Sequence, residues 1–318
     1  MKIGVIGAGW WGKNIVNTLE RLSSVSSVVV FDKQPEVREQ FAECKKTTFA
    51  HSLEEVLSDS SVEGVCLATP PPTHYDISKR ILLAGKHVLV EKPPAYELTQ
   101  VKELGNIAAS GNLVYMLDAL YLFQQPIQRI KQTIDEGELR NLRFIQMFRI
   151  GDEMRRAGAG IQRLRQTMFV NGTDVIEDLF FHDAAILLYL FGDVEYQSSE
   201  KLYLYAATVC DSARVKLLAK GVPVELVLSW TFAGRRRGMV LYDESVLIEY
   251  DGLKAENQLT KYYLLENRSE SFSFPSHGPL DAMLDFFVRC VRGREVNFLG
   301  SEVMERITSI WRTISDAR

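Results

Sequence analysis

Three short stretches of the 318-residue sequence carry side chains whose types and spacing could do chemistry. Residues 88–94, VLVEKPP, end an apolar run in Glu91, Lys92 and two prolines. Prolines bias the residue before them away from helical dihedrals, so the Lys92 ammonium leaves the chain in a set direction rather than on a free tail. Residues 177–183, EDLFFHD, place Asp178 and His182 four apart. On a helix they share one face, where a carboxylate can orient an imidazole and raise its basicity. Residues 7–12, GAGWWG, follow the apolar run Ile3–Ile6. Gly7, Gly9 and Gly12 at that spacing permit a tight turn and a close approach of phosphate oxygens to backbone N–H groups at a helix start. Each stretch also has an ordinary reading: a solvated lysine, a capping aspartate with a core histidine, and a glycine turn that packs without a ligand.

The elements around them decide between these readings. From Met1 to about Ala119 short runs rich in Val, Ile and Leu alternate with helical periods, which predicts strands at Ile3–Ile6, Val28–Phe31, Gly64–Ala68, His87–Val90 and Leu113–Leu117. Helices are predicted near 12–22, 35–43, 53–58, 74–84 and 97–110; Ser52 with Glu55 forms a capping box, and Gly85 and Gly111 fall where left-handed residues would end two of them. Strand–helix–strand repeats of this length mean right-handed crossovers on a parallel sheet.

After residue 120 the rhythm changes. A helix near 125–136 leads to a strand at Leu142–Ile150, a glycine- and arginine-rich stretch to about 172, and a helix near 177–190. Strands then follow one another without helices, at Lys201–Val209, Ala213–Leu218, Val224–Phe232, Met239–Tyr242, Val246–Tyr250 and Tyr262–Leu265, before helices near 279–292 and 301–315. Successive strands argue for a second, mostly antiparallel sheet. The predicted fold is therefore α/β: a doubly wound parallel sheet of the Rossmann type over residues 1–119, and an α/β domain with a large open, mostly antiparallel sheet over 120–318.

In that frame the three stretches acquire places. Ligands of doubly wound sheets lie outside the carboxyl ends of the strands. The glycine turn sits there, and Asp32 ends the second strand 20 positions after Gly12, where a carboxylate would bond the ribose hydroxyls of a dinucleotide. Such a carboxylate repels the extra phosphate of NADP, although Lys33 beside it acts the other way; NAD is the expected cofactor and NADP the lesser one. Residues 68–74, ATPPPTH, leave the next strand extended because three prolines forbid immediate helix entry. His74 alone reads better as a helix-start residue than as a ligand. Lys92 then emerges at the same edge, near the expected nicotinamide end. The cofactor-binding set is Gly7, Gly9, Trp10, Trp11, Gly12, Asp32, Lys33, Thr69, Pro70, His74, Glu91 and Lys92.

Composition narrows the partners. A net charge of −4 and 25% charged residues supply no basic field for nucleic acid or an anionic membrane. Cys44, Cys66, Cys210 and Cys290 are far apart with no CxxC pair, which suits a reduced, cytoplasmic chain without a disulfide framework or structural zinc. No metal site is expected, since no third ligand accompanies Asp178 and His182 at recognisable spacing. Neither a signal peptide nor a membrane span is expected.

With GAGWWG, ATPPPTH, EKPP and DLFFHD in one order, the chain resembles the Gfo/Idh/MocA family of NAD(P)-dependent sugar and polyol oxidoreductases. IGAGWWGKN, GKHVLVEKP, IDEGELRNLRFI and EDLFFHDAAILLYLFG are most similar to its branch acting at C3 of nucleotide-linked N-acetylhexosamines and their uronic acids. The resemblance implies that Lys92 contacts both the nicotinamide ribose and the reacting sugar, that the Lys92–Pro93 bond is a candidate for the cis form, and that Asp178 and His182 face the same substrate atom. Three departures stand out: DALYLFQQP lacks the arginine or asparagine of many relatives, Phe180 and Phe181 replace smaller residues, and residues 151–172 have no firm counterpart.

The expected activity is hydride transfer between the nicotinamide and a secondary alcohol or ketone of a sugar, with Lys92, Asp178 and His182 catalytic and also binding substrate. Arg163 and Arg165, with Arg155 and Arg156, would grip a diphosphate or carboxylate, or form a solvated loop. Competing expectations are a dehydrogenase of a free monosaccharide or polyol, a glycosidase that oxidises C3 transiently, and a non-catalytic NAD-dependent sensor. The open second sheet points to a homo-oligomer, dimer or tetramer.

Overall fold

A computed structural model describes residues 1–151, 173–205, 207–256, 258–274 and 278–317. Arg155, Arg156, Arg163 and Arg165 lie outside them. The chain divides into two compact units, Met1–Phe123 with His277–Ser309, and Gln124–Ser276 with Ile310–Arg318. A single cut at 119/120 does not see that residues 277–309 return to the first unit.

The first unit holds a six-stranded sheet in the order β3-β2-β1-β4-β5-β6, from β1 (Lys2–Ile6), β2 (Ser27–Phe31), β3 (Thr47–Phe49), β4 (Val62–Leu67), β5 (His87–Val90) and β6 (Tyr115–Leu117). All its ladders are parallel. This is the doubly wound order, and it reverses between β1 and β4. Val5, Val28, Val65, Cys66, Val88 and Val90 are fully buried, as strands covered on both faces require. β3, with the polar sequence TTF, was invisible to a pattern search. In the helix Pro279–Val291, Phe287 is fully buried and seated against Gly64 of β4, where an added Cβ would lie 3.1 Å from its ring. That contact explains why this distant segment belongs to the first unit.

Helix ends follow the expected chemistry with one exception. Ser52 accepts the Glu55 N–H at 3.1 Å while the Glu55 carboxylate takes the His51 N–H at 2.7 Å. Gly85 is left-handed at φ 72°, but Gly111 has φ −90°, and the left-handed residue there is Asn112 at φ 51°. A short polar side chain tolerates that region, so the turn moves one residue on.

The second unit holds eight strands in the order β14-β13-β12-β11-β7-β10-β9-β8: β7 (Leu142–Ile150), β8 (Val194–Leu202), β9 (Ser212–Ala219), β10 (Val222–Ser229), β11 (Arg236–Asp243), β12 (Val246–Asp251), β13 (Leu259–Tyr263) and β14 (Arg268–Phe272). Among the described residues every ladder of this sheet is antiparallel except β10 with β7. The expected strand Lys201–Val209 is displaced: β8 ends at Leu202, and the Asp211 carboxylate takes the Tyr205 N–H at 2.8 Å to shape the turn that follows. β14, RSESF, carries almost no apolar signal and pairs only at the sheet edge. One face is covered by the helix Val175–Phe191, whose Phe180 and Phe181 are buried in the core, Phe181 with its ring centroid 5.3 Å from that of Trp311. The larger residues before His182 are thus packing residues. No helix among the described residues is long and apolar enough to cross a membrane.

Candidate active site

The glycine turn is built by contacts that only hydrogen at Cα allows. Gly7 has φ 88°, and a Cβ there would lie 2.6 Å from the Ala68 carbonyl oxygen of the β4 end; at Gly12 it would lie 1.9 Å from the Gly7 oxygen. At Gly9 it would meet nothing within 4 Å, so the turn presents bare backbone outward. Helix Trp10–Arg21 begins here with no side-chain cap and no acidic residue in its first turn. Its positive end and its unsatisfied N–H groups therefore face an opening suited to a pyrophosphate.

That opening is a cavity of about 470 Å³ lined by Gly7, Gly9, Asp32, Lys33, Thr69 and Pro70, with Phe31, Gln34, Thr73 and Ile77 among the rest. Asp32 holds its mouth: Oδ2 accepts the Ala8 N–H at 2.7 Å and Oδ1 the Gln34 N–H at 2.8 Å. The carboxylate is thereby fixed with lone pairs left for ribose hydroxyls. These residues fit an adenine dinucleotide, and what they offer is the anion cradle at the turn with an acidic clamp at the β2 end. Gln34, Thr73 and Ile77 were missed by sequence reasoning: Gln34 lies three residues after the end of β2, while Thr73 and Ile77 stand at and inside the start of the helix that follows the β4 loop.

Lys92 follows β5 at that edge, and Lys92–Pro93 is cis. The structure gives His74 a different task from cofactor contact. Its ring is fully buried, with Nδ1 2.7 Å from the Pro93 carbonyl oxygen and Nε2 2.7 Å from that of Thr69. Burial lowers its pKa. The imidazole bridges the loops after β4 and β5, and so holds the backbone on which Thr69 and Lys92 are mounted. Trp10 is 81% exposed, whereas the Trp11 indole Nε1–H donates to Asp118 Oδ2 at 2.9 Å. Glu91 turns toward Asp118 as well, its carboxyl raised well above the ordinary range by burial and by the Asp118 charge. Asp118 was absent from the sequence-derived set; its place directly after β6, on the ligand edge, was the available signal.

Asp178 and His182 lie in the second unit, one turn apart on the helix Val175–Phe191, both half-buried. Asp174 caps that helix by accepting the Glu177 N–H at 2.7 Å, which leaves Asp178 free of the capping task that was its ordinary reading. Behind them Arg149 and Asp183 form a bidentate pair, Nε–Oδ2 2.6 Å and Nη2–Oδ1 2.8 Å, with side chains only 5% and 4% exposed. No group of three or more His, Cys, Asp or Glu that could hold a metal ion occurs among the described residues.

Comparison with known proteins gives this arrangement relatives. Residues 1–119 match the GFO_IDH_MocA model, the oxidoreductase family with an NAD-binding Rossmann fold, in agreement with NAD as the cofactor. An uncharacterized oxidoreductase of Synechocystis sp. is 24% identical over 273 residues, 80% of this chain and 73% of that protein. The chain spans 45% and 24% of two further curated relatives. Among solved structures, UDP-N-acetylglucosamine 3-dehydrogenase GnnA from Acidithiobacillus ferrooxidans is 21% identical with a TM-score of 0.81, covering 99% of this chain and 96% of that one. KijD10, a 3-ketoreductase from Actinomadura kijaniata in complex with NADP and TDP-benzene, is 18% identical with a TM-score of 0.84, covering 100% and 98%. Both share the fold.

Proposed function

We propose, for a chain whose residues 1–119 form a Gfo/Idh/MocA-family NAD-binding Rossmann domain, an oxidoreductase acting on a secondary alcohol or ketone of a sugar, at C3 of a nucleotide-linked sugar. The observation that carries the reading is the pairing of a pyrophosphate-sized glycine cradle with Lys92 on the same strand-end edge of one sheet. NAD, when bound, supplies the hydride acceptor. Lys92 meets the substrate oxygen and stabilises the alkoxide that develops there, because an alcohol does not release its proton unaided at neutral pH; a positioned donor in a dry site contributes several kcal/mol. His182, oriented by Asp178, takes the hydroxyl proton. The second unit, Gln124–Ser276 with Ile310–Arg318, supplies substrate binding and oligomerisation.

The nucleotide-linked substrate is supported by two proteins of this fold, a UDP-N-acetylglucosamine 3-dehydrogenase and a 3-ketoreductase in complex with TDP-benzene. Thermal shift with NAD present, run against UDP, UDP-N-acetylglucosamine, its uronate and free sugars, followed by NADH formation with each binder, tests it. Stabilisation by UDP alone is expected. Turnover of free sugars with no response to any nucleotide would move the reading to a monosaccharide or polyol dehydrogenase, and NADH unchanged with every sugar would leave only a sensor.

A further inference from the structure

Two strand ends and the glycine-turn helix meet around a pair of acidic side chains beside Lys92. β5 and β6 are hydrogen-bonded neighbours, and Glu91 and Asp118 directly follow them; the Asp118 N–H donates to the Val90 carbonyl at 2.8 Å. The two carboxyl groups sit at neighbouring strand ends, and each shifts the ionisation of the other. A carboxylate only accepts, so a bond between two carboxyls requires one proton. The remaining contacts say where it sits. Asp118, 4% exposed, accepts the Trp11 indole N–H at 2.9 Å on Oδ2 and the Leu120 N–H at 3.3 Å on Oδ1. These two donors favour Asp118 as the ionised partner, which leaves the proton of such a bond on Glu91, whose Oε2 accepts the Lys92 backbone N–H at 3.0 Å.

We propose that Glu91 and Asp118 are positioning residues for Lys92: a carboxyl pair holding one proton, which ties the glycine-turn helix, through Trp11, to the two strand ends that carry the lysine loop. The inference rests on the role given to Lys92 above. Through that shared proton the contacts run from Trp11 to Asp118 to Glu91 to the Lys92 amide, so the end of the cofactor cradle is joined to the backbone that carries the lysine. The charged and titratable groups facing the pair are the Lys92 ammonium, which favours ionisation of both carboxyls, and the fully buried Cys66 thiol of β4, itself pushed far up by burial and then by the Asp118 charge. Burial also raises Asp118, against the pull of its donors, and raises Glu91 much further with the Asp118 charge added. Loss of the shared proton as pH rises sets two negative charges against each other where Asp118 is buried and Glu91 half-buried, and the bond that anchors the loop is gone.

The test compares Glu91→Gln, whose amide still donates to Asp118 but carries no titrating proton, with Glu91→Ala, which removes the bond. The first readout needs no substrate: the indole N–H resonance of Trp11, assigned with Trp11→Phe, followed against pH in the full-length protein. Wild type shows a step well above the ordinary carboxylate range, and Glu91→Gln abolishes it; a resonance flat with pH in wild type, or a step that survives in Glu91→Gln, overturns the proposal. The second readout is kcat against pH. Glu91→Ala lowers kcat about 10²-fold, the scale of a misplaced reacting group, with little change in KM for NAD, while Glu91→Gln recovers most of it and flattens the fall with rising pH. Where Glu91→Ala does not fold, Asp118→Asn replaces it. An unchanged kcat in the bond-removing variant overturns the positioning role. If no sugar is turned over, the resonance still reports on the pair, so failure of the proposed reaction is read separately from failure of this inference.

Discussion

The Asp178 carboxylate accepts the indole Nε1–H of Trp230 at 3.1 Å, joining the helix Val175–Phe191 to the residue that follows β10. Trp230 is 2% exposed, so one oxygen of Asp178 is fixed by a group embedded in the core of the second unit. A carboxylate held in this way keeps its second oxygen in a defined direction, and His182 lies one turn along the same face. His182→Asn is therefore expected to lower kcat by about 10²–10⁴-fold with NAD affinity unchanged. Stopped-flow turnover and NAD titration check this, and a loss of NAD binding would take His182 out of proton transfer. Asp178→Asn, which keeps an acceptor for Trp230, should fold and lose less.

Lys92→Ala removes the one ammonium assigned to the developing alkoxide. The expected fall in kcat is about 10²–10³-fold, with thermal stability retained. Turnover equal to wild type in a folded variant would end the assignment.

Asp32→Ala takes away the carboxylate that lines the cavity and also holds the Ala8 amide. Charge-assisted bonds of this kind contribute about 1.5–3 kcal/mol, so NAD should bind roughly 10–100-fold more weakly. Preference over NADP should narrow at the same time. Fluorescence titration with both cofactors measures it, and an unchanged ratio of affinities would remove Asp32 from cofactor discrimination.

The buried pair Arg149–Asp183 gives a stability test within the second unit. Arg149→Met leaves Asp183 uncompensated among apolar neighbours and is expected to lower unfolding free energy by about 3–5 kcal/mol. Replacing both partners, Arg149→Met with Asp183→Leu, should recover most of that loss. Urea denaturation decides it: equal losses in the single and double variants would show that the charge left behind is not the cause.

Glu91 makes stability depend on pH in a direction opposite to that of an ordinary salt-bridged carboxylate. Its pKa in the folded protein is raised, by burial first and the Asp118 charge second. The contribution is fully present below the unfolded carboxylate pKa, near 4.3, and is lost as pH rises toward and through the raised folded value. Tm should fall as pH rises above the unfolded carboxylate value in wild type and fall less in Glu91→Gln; parallel curves would contradict the raised pKa.

Much of the local architecture was legible in the residues themselves. The glycine spacing, the Val-rich runs, the Ser52–Glu55 cap and the prolines after Lys92 act through dihedral preference and the period of burial, properties that a few neighbouring residues specify. The first sheet and the place of Lys92 at its edge follow from them. Strands without an apolar period, Thr47–Phe49 and Arg268–Phe272, left no such trace, because an edge strand is held by backbone bonds to its neighbour rather than by side-chain burial.

Tertiary structure alone decided which groups meet. His74 has the sequence of a helix-start residue, yet its ring joins two loops, because Thr69 and Pro93 place carbonyl oxygens on both its nitrogens. Phe287 seats against Gly64 across more than two hundred residues, which returns the penultimate helix to the first unit. Glu91 has the appearance of an exposed charge at a strand end until Asp118 arrives beside it from the next strand. The partner of a buried polar group is fixed by contacts distant along the chain, and a carboxyl group's proton is fixed by that partner; neither is a property of the residues on either side.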